Sequence, residues 1–516
     1  MDIISLQSLD QQSIVQFLRA KKGFPSEVLI GATLKEPICA GDDKKAAAIL
    51  SKVARHLSSQ DRVLTAVILD AHTETPRWGG IRNPVDWSSH VSVDRCSKSY
   101  STFNDRVQNI LESYSTNQFN INDTSAPLWK IVLIRGNQSH EPDSLLFILC
   151  HIVGDGKTCK TLFTRSMDLL YKYLDADTTG KEPLLTVNQD GTLPIQHTTA
   201  LPPPFESFND TTVPLVGILS MYFFSFLLSA YCPNWVYNLL PHNKIYYSLN
   251  QEKFKNFTPS LDCGHRVMTI PSLYSLSKSP KLDSPVSVNS ILGRLFDVAL
   301  YGTSMHFKKL SGNTTSAGAG DPLFFVTNSM MCLNTLDGTP LGNYTGAGKY
   351  QEVLYSHTKF WETVNKFYYF MRSEQCLKEA TYSGYLVHCC GGASRLMDNM
   401  YTRAGRFMQT FGQPIVSNMG AFLDNKSNNH NLGSKVENVF VFHNAMPFLQ
   451  PITNYVTSLD KTSSISVIFS WRKDSVSEEW VDYYEKTLRL ITNKILNEEA
   501  PDLSLTIGSM VSQNAN

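Results

Sequence analysis

The stretch "SLLFILCHIVGDGKT", Ser144 to Thr158, constrains the fold more than any other part of the chain. Its first seven residues carry no charge and do not alternate apolar with polar, so a strand there is buried on both faces. A sheet covered on both sides is the middle layer of an α/β unit. The run stops at His151, Gly154 and Gly156 let the backbone turn tightly, and "KTCKTLFTRSMDLLYKYLD" follows with Leu162, Met167, Leu170 and Tyr173 near helical spacing. A strand thus ends on an imidazole and a helix starts at once. α/β folds place their chemistry in such loops.

The first third of the chain repeats the pattern. "VLTAVILDA" and "PLWKIVLIR" read as buried strands and "DKKAAAILSKVARHL" as a helix. From Ala176 to about Asn209 the chain is rich in Thr and Pro and reads as a connector. "VSVNSILGRLFDVALYG" then reads as a helix, "PLFFVTNSMMCL", "QPIVSNMGAFL" and "SSISVIFSWRK" as strands, and "SEEWVDYYEKTLRLITNKIL" as a closing helix capped by Ser477. The expected organisation is an N-terminal lobe over 1–180, a connector with an apolar helical segment over 181–265, and a C-terminal lobe over 266–516.

A histidine at a strand end suits general-base work, because its ordinary pKa lies near operating pH and small environmental changes tune it. His followed four residues later by Asp is weak by itself, and the spacing recurs in "HVSVD", His90 to Asp94. His90 follows a polar loop and lacks the Gly-Asp-Gly turn, so it reads as structural. For Asp155 two roles stay open: orienting the imidazole, or locking the loop by pairing elsewhere. There is no Gly-x-Ser-x-Gly elbow, and Cys150 should face away from His151, which points to direct transfer without a covalent enzyme intermediate. Lys plus Arg equals Asp plus Glu at 46 each, so no global field draws the chain to nucleic acid, and a neutral or amphiphilic substrate fits better. The "HCCGG" cluster at His388, Cys389 and Cys390 lacks the paired spacing of a zinc site, and no metal is expected.

At "HIVGDG" the sequence resembles the CoA-dependent acyltransferases built like chloramphenicol acetyltransferase, whose His-x-x-x-Asp-Gly motif lies on a strand-to-helix turn. "SEVLIGATL", "APLWKIVLI", "SVNSILGRLFDVAL", "PLGNYTG" and "ISVIFSWRKDSVSEEWVDYYEKTL" follow the order of that superfamily's elements, so the likeness covers nearly the whole chain. The "VSNMG" segment makes it most similar to fungal alcohol O-acetyltransferases. Many relatives carry His-His where this chain has Cys150 and His151, and the Asp-Phe-Gly-Trp-Gly segment of plant-type members is absent.

The resemblance implies a two-lobed α/β sandwich with a channel between the lobes, entered by acyl-CoA from one mouth and the acceptor from the other. It casts His151 as general base, Asp155 and Gly156 as the rest of the motif with Asp155 structural, and Ser417, with Asn418 and amides near Gly420, as the oxyanion site. Gly342 and Asn343 read as a turn. The expected reaction is O-acyl transfer from acetyl-CoA, a cosubstrate and not a bound cofactor, to a small or amphiphilic alcohol. The alternatives are N-acyl transfer to an amine such as a sphingoid-like lipid, a carrier-dependent condensation module, or a silent lipid- or protein-binding lobe pair.

One stretch stands apart. "VPLVGILSMYFFSFLLSAYCPNWVYNLLP", Val213 to Pro241, has no charged residue and is long enough to span a bilayer, yet Pro214, Gly217, Ser220, Ser225 and Ser229 dilute it. Burial, interfacial contact and spanning are all open from its composition. A single crossing would place His151 and Ser417 on opposite sides of a membrane, so the acyltransferase reading excludes it. With no secretory leader apparent, we expect a cytoplasmic monomer with cysteines reduced, or peripheral contact with an endoplasmic reticulum or lipid-droplet membrane through 213–241.

Overall fold

A computed structural model describes residues 3–512 other than 74, 82–86, 117, 139–140, 181–214, 230, 240–261, 283, 311–322, 333–340, 412–413, 424–429, 445–451 and 498–500. "SLLFILC" is strand β7 (Ser144–Cys150), buried at every position. It is flanked by antiparallel β2 (Glu27–Leu34) and β6 (Trp129–Arg135), and β5 (Val91–Arg95) runs parallel to β6 at the edge. Helix α4 (Gly156–Thr179) packs on β2 and β7 and against α2 (Asp43–Gln60), which explains the missing alternation in β7. Helix α1 (Gln11–Lys21) precedes β2, and α3 (Phe103–Tyr114) reaches across to the second lobe.

"VLTAVILDA" divides differently from the expected single strand. Arg62–Thr65 forms a 3-10 turn, and only β3 (Ala66–Leu69) is extended, in a separate sheet with β4 (Arg77–Ile81) and β1 (Ile3–Ser8). Apolar content shows that such a run is buried, but not which sheet buries it.

The second lobe is a six-stranded sheet ordered β10 (Thr345–Leu354), β9 (Leu323–Cys332), β11 (Ile415–Ala421), β13 (Ile452–Ser458), β14 (Ile465–Arg472) and β8 (Cys263–Ile270). The helices Val288–Leu310 and Glu478–Leu496 pack on each other and share its core. Ser477 caps the latter, its Oγ accepting from the Trp480 amide at 3.2 Å.

One strand belongs to both lobes. β12 (Val436–His443) comes from the second half of the chain, yet it pairs antiparallel with β2 from Val436 against Leu34 to His443 against Val28. It completes the first sheet as β12-β2-β7-β6-β5. Gly31 makes room for this crossing, because a Cβ there would run into the Phe440 ring.

Most of the expected connector lies outside the described residues. Its described part is α5 (Leu215–Leu228), the short α6 (Asn234–Leu239) and the start of β8, which opens at Cys263 inside the expected connector. α5 packs against the helices Glu374–Cys389 and Ala393–Phe411 through Phe224, and Ser225 Oγ donates to the Cys389 carbonyl at 3.1 Å. Its outer face is exposed and apolar, with Leu215, Leu219, Tyr222 and Phe226 at i, i+4, i+7 and i+11, between 43% and 70% exposed. This corrects the burial reading. Among the described residues no helix is long and apolar enough to cross a membrane.

Candidate active site

β7 keeps its ladder to its last residue, Cys150 opposite Glu27, and then turns. The His151 amide donates to the Ser26 carbonyl at 2.6 Å, and the Val153 amide closes back on the Cys150 carbonyl at 2.9 Å. Asp155 begins α4 as its N-cap, its Oδ1 accepting from the Thr158 amide at 2.8 Å. Its Oδ2 accepts from the Tyr344 amide at 3.0 Å, so the carboxylate serves backbone donors from both lobes.

The "PLGNYTG" turn is more than a turn. The Asp155 amide donates to the Gly342 carbonyl, Thr158 Oγ1 donates to that carbonyl at 2.7 Å, and the Gly342 amide donates back to Thr158 Oγ1 at 2.9 Å. Asn343 Nδ2 donates to the His151 carbonyl at 2.9 Å. The second lobe thereby grips the backbone of the motif, a role that turn chemistry alone did not indicate.

His151 is 8% exposed, and its Nδ1 has no hydrogen-bond partner of good geometry. Burial, with the Arg19 guanidinium adding to it, pushes the imidazole down to about 4, opposed by its own backbone carbonyl. At neutral pH it is an unprotonated base. Cys150 is no competing nucleophile, because burial pushes its thiol up to about 12. His90 takes the expected structural place, stacked on Trp129 at 5.5 Å with Nδ1 3.0 Å from the Trp129 carbonyl.

β11 and β13 face His151 from the second lobe, and alternation along them sorts the expected oxyanion residues. Ser417 stands opposite Tyr455 in the parallel register. Tyr455 is buried in the first-lobe core and Met419 packs against it, whereas Val416 and Val456 belong to the second-lobe core. Ser417 therefore shares the face that looks across to the motif. Asn418 takes the other face, where Nδ2 donates to Asn289 Oδ1 at 3.2 Å and Oδ1 accepts from the Gly420 amide at 2.7 Å. Its amide is committed to shaping the strand end, so of the expected pair only Ser417 looks toward the motif. Gly420, at φ +66°, sits in the register shift between Asn418 and Ala421. Lys160 of α4 ties this end down, donating to the Met419 carbonyl at 3.0 Å and the Ala421 carbonyl at 2.6 Å. Gly156 keeps the approach close, since a Cβ there would lie 2.7 Å from Met419 Sδ.

The structure adds a second histidine. His443, the last residue of β12, meets His151 edge-on, with ring centroids 5.1 Å apart and planes at 78°. "VFVFHN" carries the same signal as "FILCHI", an apolar run ending on histidine, but without a Gly-Asp-Gly turn behind it.

Residues 90–315 match the alcohol acetyltransferase family. No curated protein matches the sequence. Among solved structures, a trichothecene 15-O-acetyltransferase from Fusarium sporotrichioides shares 12% identity at a TM-score of 0.61, covering 94% of each chain. A mutant starter condensation domain of rhizomide synthetase, solved with C8-CoA and Leu-SNAC, shares 9% identity at 0.59, covering 98% of this chain and 96% of that one. The condensation domain of the monacolin K polyketide synthase shares 13% at 0.57, covering 98% and 100%. These likenesses establish the two-lobed fold, and the family match covers the motif and the entry to the second lobe. Residues 90–315 are thus similar to the alcohol acetyltransferase family, and the whole chain shares the fold of these acetyltransferase and condensation structures.

Proposed function

We propose that the chain moves an acyl group, acetyl in the first instance, from CoA to an alcohol hydroxyl, with His151 as general base and no acyl-enzyme. The observation that carries this is a buried, neutral imidazole presented where the lobes meet, on the face shared with Ser417, with no activated nucleophile beside it. His151 takes the hydroxyl proton as the acceptor oxygen bonds to the thioester carbon, and the carbonyl electron pair moves onto oxygen. Ser417 hydrogen-bonds that oxyanion. The carbonyl then reforms, the carbon–sulfur bond breaks, and the thiolate recovers the proton from His151. An alcohol suits the site better than an amine, because an ammonium ion would have to enter beside the buried Arg19 guanidinium.

The acyl-CoA phosphates fit a cavity of about 240 Å³ at the C-terminal ends of β11 and β13. Lys278, Lys461, Ser272 and Ser287 line it with Asn418 and Gly420, offering cations and hydroxyl donors to phosphate oxygens.

The test is free-thiol release from acetyl-CoA over a panel of alcohols and amines. Wild-type protein is expected to turn over alcohols preferentially, His151→Ala to lower kcat about 10²- to 10⁴-fold, and Lys278→Ala with Lys461→Ala to raise KM for acetyl-CoA without lowering kcat. CoA-dependent thermal stabilisation with no turnover on any acceptor would sink the proposal in favour of a silent binding module.

We also propose that α5 rests on a lipid surface. It is about 21 Å long at 1.5 Å per residue, too short for a core of about 30 Å. Its exposed Tyr222, Phe223 and Phe226, together with Trp235, present aromatic rings from a segment, 213–241, that has no charged residue. A protein partner would favour a polar rim around such a patch, and this segment offers none that is ionised.

A further inference from the structure

Three side chains near His151 have no part in general-base catalysis: the buried Arg19 and Tyr455 and the half-buried His443. A guanidinium only donates hydrogen bonds. Arg19, 2% exposed on α1, donates through Nη1 to His443 Nε2 at 3.1 Å and through Nη2 to the Asn444 carbonyl at 3.2 Å. His443 Nε2 must therefore offer its lone pair. Burial, reinforced by Arg19 and His151, holds the His443 pKa well below the ordinary value, so the ring is neutral and its one proton is on Nδ1.

Nδ1 lies 3.3 Å from Tyr455 Oη and donates to it. The phenol oxygen accepts in that contact, which leaves its own O–H to donate elsewhere. The chain of donors runs one way, from Arg19 through His443 to Tyr455. Its end is well placed: although β13 belongs to the second sheet, Tyr455 is buried in the first-lobe core, opposite Ser417 in register and one imidazole away from His151. Thr453, two residues earlier on the same face, sets its buried hydroxyl beside the phenol, where its hydrogen bond works against the effect of burial. Burial raises the Tyr455 phenol above its ordinary pKa, so it keeps its proton while donating.

We propose that Tyr455 is a second hydrogen-bond donor to the tetrahedral oxyanion, and that Arg19 and His443 are positioning residues that fix the direction of its O–H. This rests on the acyl-transfer reading above. Tyr455 donates to the alkoxide formed when the acceptor oxygen adds to the thioester carbonyl, and the bond weakens again as the carbonyl reforms and the thiolate leaves. No proton leaves Tyr455, and the proton of the acceptor still travels through His151 to sulfur.

The experiment is a double-mutant cycle on the full chain with acetyl-CoA and the best alcohol from the panel, each variant checked for an unchanged thermal transition. Tyr455→Phe is expected to lower kcat about 10²-fold while KM for acetyl-CoA stays within about twofold. His443→Leu, which keeps bulk but breaks the chain of donors, is expected to lose a smaller part of kcat. His443→Gln is expected to recover it, since its carboxamide accepts from Arg19 and donates to Tyr455 together. The double variant Tyr455→Phe/His443→Leu should be no slower than Tyr455→Phe alone. Unchanged kcat in Tyr455→Phe, additive losses in the double variant, or equal losses in His443→Leu and His443→Gln would each overturn the proposal. If Tyr455→Phe does not fold, the comparison of His443→Leu with His443→Gln decides by itself. Absence of turnover in the wild type is a different result, which would strike the acyltransferase reading instead.

Discussion

His151 is placed by backbone and tuned by burial. Its carbonyl is held by Asn343, its amide by Ser26, and its ring meets His443 edge-on within the field of the Arg19 guanidinium. As the proposed base His151 must be neutral, and burial pushes its pKa down to about 4, so the acid limb of kcat/KM is expected near pH 4 and not near the ordinary histidine value of about 6.5. The measurement is initial rates over a pH series, and an acid limb centred near 6.5 would show that the ring is solvated. The same burial acts oppositely on folding. The depressed imidazole contributes stability that is present above the unfolded pKa of about 6.5 and lost as pH falls through the window down to about 4, so rates must be taken before unfolding competes. At this scale the sequence was informative for His151 and silent for His443, because the partner that gives His443 its tautomer, Arg19, sits on a helix far away along the chain.

Among the elements, the Gly342–Tyr344 turn and α5 make the sharpest statements. Asn343→Ala leaves the His151 carbonyl without its donor in a buried setting. That should cost about 1–3 kcal/mol of stability and lower kcat more than KM, read by thermal unfolding beside steady-state kinetics. For α5, Leu219→Glu with Phe223→Glu should release the protein from neutral phosphatidylcholine vesicles in a flotation assay without changing turnover of a water-soluble alcohol. Loss of self-association with no change in flotation would instead identify a second copy as the occupant. β7, α4 and the closing helix were legible because uncharged runs, helical spacing and an N-cap serine are local signals. The exposed stripe on α5 was not, since an apolar helix looks the same from sequence whether its outer face is covered or bare. Ser417 and Asn418 were legible as a pair, but not as residues on opposite faces, which depends on the register of β11 against β13.

At the scale of the molecule, the two lobes were readable from recurring strands and helices, while the strand they share was not. "VENVFVFH" is apolar enough for either sheet, and only Gly31 in β2, by leaving space for the Phe440 ring, hints at the crossing. β12 pairs with β2 from Val436 to His443, with one register shift near its start, so the two halves of the chain are sewn together beside His151. Any motion that carried β12 away from β2 would have to break that ladder and take Arg19's partner with it. Joining the halves and placing the imidazole beside His151 are thus one event, so weakening the β12 ladder would loosen both together.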